Sequence, residues 1–144
     1  MSSSDNVSLF YSLLTDSWTF YLTFCGILIS VITLLYSFIL GKKAELKVYA
    51  EQAKLGNNDP MLKKKQRAAV AYIGKLASIN EWCILLLGIS FISCVTSWGC
   101  IRFMPTDIYF IILLIIGVIT LLIIPSTIVL IIKLYLQYRD DIKL

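Results

Sequence analysis

Few residues in this chain can do chemistry, and most of them lie inside long apolar runs. None of the 144 residues is a histidine, which removes the commonest general base, His-containing triads and His-ligated zinc sites. The four cysteines, Cys25, Cys83, Cys94 and Cys100, form no CxxC pair and no metal-ligand spacing. In apolar surroundings they act as small hydrophobes, and no structural disulfide is expected. Asn80 and Glu81 stand at the start of an apolar run. A carboxylate at membrane depth is costly unless paired or hydrated, so it is a candidate for ion or proton handling. Near the boundary, within reach of water, Lys42, Lys43 or Lys75, it would serve as an interfacial anchor instead. There is no G-x-S-x-G, H-E-x-x-H or phosphate-binding loop and no pair of intramembrane carboxylates. Catalysis, a cofactor and a bound metal are therefore not expected.

The clearest pattern is one of hydroxyls and glycines. Thr19, Thr23, Gly26, Ser30, Thr33, Ser37 and Gly41 recur at steps of four and three, which places them on one face of a helix. A shorter patch follows at Ser90, Ser93, Cys94 and Ser97, with Gly88 and Gly99 beside it. Small residues let membrane helices approach closely, and their hydroxyls can bond across the contact. Three readings stay open for the Thr19–Gly41 seam: packing within the chain, with the Ser90–Ser97 patch as a natural partner; a contact between copies; or the wet wall of a pore.

The elements that must position these residues follow from composition. The chain is 58% hydrophobic and only 15% charged, with a mean hydropathy of +0.82, whereas soluble domains carry about 25% charged residues. Residues 18–40, 79–101 and 108–132 form long apolar runs, and Glu81 is the one charge among them. About 20 helical residues span the hydrocarbon, and lipid leaves backbone groups no partners but each other. The expected fold is an all-α integral membrane protein with three transmembrane helices. Residues 1–17 lack Lys and Arg, and the run after them exceeds a signal-peptide core, so the first helix is expected to stay.

Basic residues set the orientation. Residues 1–17 carry only Asp5 and Asp16, the short outer turn 102–107 carries Arg102 and Asp107, and the connection 41–78 holds nine basic against three acidic residues. With Lys133, Arg139 and Lys143 in the tail 133–144, all but one of the 13 Lys and Arg fall on one side. That side is expected to be the cytoplasm, giving an N-out, C-in topology. Segment 41–78 reads as a helical hairpin, because Lys42–Leu55 is rich in helix formers and Gly56-Asn57-Asn58-Asp59-Pro60 is a strong breaker. Its cluster Lys63, Lys64, Lys65 and Arg67 is a candidate site for anionic lipid or a protein partner. Without interleaved aromatics it does not suggest nucleic acid, and a plain topology signal is the simpler alternative. Val7, Phe10, Tyr11, Leu14 and Trp18 suggest that residues 1–17 open on a short amphipathic helix on the outer surface, a plain outer tail with its aromatics at the headgroups being the alternative. Pro125 predicts a kink in the third span, with Thr120, Ser126 and Thr127 able to satisfy the freed groups. Trp18, Tyr21, Trp98, Tyr109, Tyr135 and Tyr138 suggest interfacial belts.

In topology, though in no residue motif, this layout resembles three-span phage holins and small phage-exclusion membrane proteins of bacteria; the long cytoplasmic hairpin departs from compact holins. The resemblance implies a self-associating inner-membrane effector that leaks ions or perturbs the bilayer in antiviral defence, controlled through the hairpin. The alternative is a non-conducting accessory subunit that docks a cytoplasmic protein. Membrane lipid and copies of itself are the expected partners.

Overall fold

In a computed structural model the chain is described over residues 3–54, 60–103 and 105–142, and these are helical almost throughout. Helix α1 spans Ser3–Lys54, α2 spans Pro60–Phe103 and α3 spans Tyr109–Ile142, with a short 3-10 turn at Thr106–Ile108 closed by Ile108 N–H donating to the Pro105 carbonyl. Pro60 opens α2, where its missing N–H costs nothing. The Gly56–Asp59 breaker lies outside the described residues. All three helices are long and apolar enough to cross a membrane. At about 1.5 Å per residue, the 52 residues of α1 measure about 78 Å and the 44 of α2 about 66 Å. A hydrocarbon core of about 30 Å cannot hold either helix whole.

Burial recurs every seventh residue in each helix. In α1 the row is Leu14, Tyr21, Leu28 and Leu35, accompanied by Cys25 and Ile39. In α2 it is Leu62, Ala69, Leu76, Cys83, Ser90 and Ser97, accompanied by Ile79, Leu86, Ser93 and Cys100. In α3 it is Tyr109, Ile116, Ile123 and Leu130. A period of 3.5 residues per turn keeps one stripe facing its neighbours and belongs to left-handed, knobs-into-holes packing.

Two compact units result. One comprises residues 1–29 and 85–144, the other residues 30–84. In the first, the buried set is rich in small polar and thiol side chains (Cys25, Ser90, Ser93, Cys94, Ser97, Cys100), while Leu22, Ile27, Phe91, Ile92, Leu121 and Leu122 are exposed. That distribution is inverted relative to a protein in water. It suits lipid, where large aliphatic groups gain nothing by hiding and close packing of small ones holds helices together. In the second unit the arms beyond the apolar runs bury Leu62, Ala69 and Leu76 and expose Lys43, Lys47, Lys63 and Lys64, the ordinary pattern for water.

In three places the structure adds local detail. The segment before Trp18 is helical from Ser3 and forms the opening turns of α1. It is held inside the first unit, where Leu14 is fully buried and the Phe10 and Phe110 rings lie 6.0 Å apart. Helix α3 runs unbroken through Pro125. The hydroxyls of Thr120, Ser126 and Thr127 donate to the carbonyls of Ile116, Leu122 and Ile123, each one turn back, and not to that of Leu121. Of the expected belt, Trp98 and Tyr135 are exposed, while Tyr21 and Tyr109 are core residues.

Candidate interaction faces

The α1 seam lies on an exposed side of its helix. Thr19, Thr23, Gly26, Ser30, Thr33 and Ser37 are all exposed. A Cβ built on Gly26, or on Gly41, meets nothing within 4 Å. Exposure has a geometric cause: α1 turns the row Leu14–Leu35 toward its neighbours, and the hydroxyl row runs along another side at the same 3.5-residue period. Hydroxyls of this row are satisfied inside the helix. Thr19 donates to the Thr15 carbonyl at 2.9 Å, Thr23 to Thr19 at 2.9 Å and Ser37 to Thr33 at 3.1 Å. A back-bonded hydroxyl can face oil at little cost and still offers lone pairs to a neighbouring helix.

The patch on α2 has the opposite placement. Ser90, Ser93, Cys94 and Ser97 are buried, whereas the residues of the α1 seam are exposed. Cys94 points its thiol at the Trp18 carbonyl, 3.7 Å away. Ser93 and Ser97 donate to Ile89 and Ser93 carbonyls. Ser90 Oγ, in a fully buried residue, has no hydrogen-bond partner among the described residues.

In the same unit α1 and α3 share a polar contact that residue spacing did not suggest. Thr120 Oγ1 gives its proton to the Ile116 carbonyl at 2.8 Å, so its oxygen accepts from Tyr21 Oη at 2.6 Å. Tyr21 is only 1% exposed, and the phenol reads as a clasp between two helices. The sequence signal that could have found it is the seven-residue row running from Leu14 through Tyr21.

The unit formed by residues 30–84 carries its polar contacts just past the apolar runs. Lys42 Nζ donates to Glu45 Oε2 at 2.6 Å, Tyr49 Oη donates to Glu45 Oε1 at 2.5 Å, and the Lys42 ammonium sits 5.7 Å from the centre of the Tyr72 ring. Hydrogen bonds from Lys42 and then Tyr49 hold the Glu45 carboxyl below its ordinary range. The bond to Glu45 likewise raises the Lys42 ammonium and the Tyr49 phenol. Lys42 is thus engaged with Glu45 and Tyr72. Glu81 is exposed and Asn80 half-buried, with Asn80 Oδ1 buried and lacking a partner among the described residues. Lys63, Lys64, Lys65 and Arg67 are all exposed. Among the described residues no three Cys, Asp or Glu side chains gather as a metal site would require. No known protein family, characterised protein or solved structure matches the chain.

Proposed function

We propose that this chain is a bacterial inner-membrane effector that assembles with copies of itself through the outward seam of α1. In this reading the N-terminus faces out, the C-terminus faces in, and residues 41–78 form a cytoplasmic hairpin that controls the assembly. Catalysis plays no part. The observation that supports it is the exposure of Thr19, Thr23, Gly26, Ser30, Thr33 and Ser37 along a helix whose other side already packs within the chain. Lipid gives a protein no reason to keep small residues on its outer surface, whereas a second helix does, because backbones then approach closely. The 3.5-residue period of the seam suits a left-handed crossing with its own copy. The assembled form would leak ions or disturb the bilayer, in the manner of a defence protein that halts the cell.

The test uses Gly26→Leu combined with Ser30→Leu. Both positions are exposed, and the new Cβ at 26 meets no neighbour, so one chain should insert and fold as before. The native protein should run as a defined multimer in mild detergent and depolarise cells when overproduced; the double variant should run as a single chain and leave the membrane potential intact. A double variant that keeps the native assembly size removes the seam from the interface. A native protein that is monomeric and silent on overproduction overturns the effector reading in favour of an accessory anchor.

A further inference from the structure

We propose that the water-side arm of α2 is a docking site for an acidic helical segment of a soluble protein, held by Lys63, Lys64 and Arg67. This deepens the control role given to residues 41–78 and rests on that reading for its side of the membrane. Binding itself is measured without any membrane activity.

The first observation is height. The three cations lie 16, 15 and 12 residues before Ile79, where the α2 apolar run begins, on an unbroken helix and inside one compact unit. At about 1.5 Å per residue they stand about 24, 22 and 18 Å along the axis from that point. The headgroup layer is about 5–8 Å deep, and the Debye length at physiological salt is about 8 Å. A helix tilted by about 40° still keeps Lys63 about 18 Å out. Headgroups of the bilayer that the chain itself spans are therefore poorly placed as the ligand; Lys42, Lys43 and Lys75 lie at their level instead.

The second observation is relief and charge. Lys63, Lys64 and Arg67 are exposed, as are Ala68, Val70, Ala71 and Gly74 on the following turns, and a Cβ on Gly74 meets nothing within 4 Å. Steps of four and three put Lys63, Arg67, Val70 and Gly74 in one row, with Lys64, Ala68 and Ala71 in the next. The surface is a low strip of small residues carrying three cations at its outer end. A helix can lie close on such a strip, and its carboxylates meet the cations beside it. Nucleic acid fits less well. Tyr72, the aromatic of this arm, is half-buried beneath Lys42 and offers no stacking platform.

The test uses the full chain in nanodiscs of zwitterionic phosphatidylcholine. The probe is a fluorescein-labelled helical peptide of about 20 residues built from Ala and Glu, read by anisotropy. The triple change K63Q/K64Q/R67Q should weaken binding at least tenfold, and K43Q/K47Q/K54Q on α1 less than twofold. K63E/K64E/R67E should lose that peptide and take up its Ala/Lys counterpart, which keeps the result separate from misfolding. Adding 30% phosphatidylserine to the disc should change peptide affinity less than twofold. The proposal is overturned if the K63Q/K64Q/R67Q variant binds the peptide as the native chain does, if phosphatidylserine in the disc competes it away, or if a 20-base-pair DNA duplex binds at lower concentration than the peptide. Each of these leaves the seam and its Gly26/Ser30 test untouched.

Discussion

Replacing Tyr21 with Phe removes one oxygen atom from the contact between α1 and α3 and leaves the ring. The structure sets the size of the effect. Tyr21 Oη donates to Thr120 Oγ1 at 2.6 Å, and Thr120 keeps its own proton on the Ile116 carbonyl. The Phe variant therefore strands no donor, and the loss is the short bond to Thr120 together with the longer 3.4 Å contact of the same hydroxyl with the Ile116 carbonyl. Between membrane helices such bonds average about 0.6 kcal/mol and reach about 1.7, a change of roughly three- to eighteenfold in the unfolding equilibrium. The value depends on the pair, so a double-mutant cycle with Thr120→Val is the proper assay. Purified protein in mixed micelles would be unfolded with dodecyl sulfate and followed by circular dichroism. Coupling between the two changes should fall between about 0.6 and 1.7 kcal/mol. A coupling indistinguishable from zero would refute the clasp, and with it the argument that α1 meets α3 through the Leu14–Tyr21–Leu28 row.

Other consequences are open to direct measurement. Ser90→Ala should leave thermal stability unchanged or raise it by up to about 1 kcal/mol, because it deletes a buried hydroxyl with no partner among the described residues; Ser90→Leu should lower it by about 1–3 kcal/mol through overpacking. The Glu45 carboxyl is held low, so its contribution is present above the carboxylate's unfolded value near 4.5 and is lost as pH falls through the lower folded value. Hydrogen-exchange protection factors at residues 42–49, taken relative to the intrinsic rate at each pH, should therefore fall on acidification below about pH 4.5, an effect that Glu45→Gln should abolish. Lys42 is raised, so at the alkaline end its contribution disappears as pH climbs past 10.5. In a background without native cysteines, a membrane-impermeant maleimide on intact cells should label Ser4→Cys and spare Asn58→Cys; the reverse pattern inverts the proposed topology.

The three helices were legible because charge-free runs near 20 residues have few alternatives in lipid. The pattern of the core was harder to see. The α2 row is aliphatic at Leu62, Ala69 and Leu76 and turns to thiol and hydroxyl at Cys83, Ser90 and Ser97. The character of the buried stripe changes along one helix, as a passage from water into lipid would require, so neither a hydrophobic nor a polar stripe can be traced end to end. The α1 seam was legible as a stripe, while its outward direction was not, since small residues suit contacts within a chain and between chains equally. Tyr21 escaped for a related reason: near a span end an aromatic fits the headgroup zone as well as the bundle interior, and only the position of α3 decides. The continuity of α1 through Trp18 was hidden because the Val7–Trp18 periodicity suits a surface helix and a longer upright one alike.

Burial that repeats every seventh residue also makes the arms a ruler. Removing Lys47–Ala53 from α1 and Lys63–Ala69 from α2 would take one full repeat from each, shortening each helix by about 10 Å while the remaining contacts stay in phase. Cutting three or four residues instead would rotate the stripe beyond the cut by about 40–60° and over- or underwind the local packing. A matched loss of one repeat from both arms, fourteen residues in all, should therefore leave the remaining contacts of the fold in place.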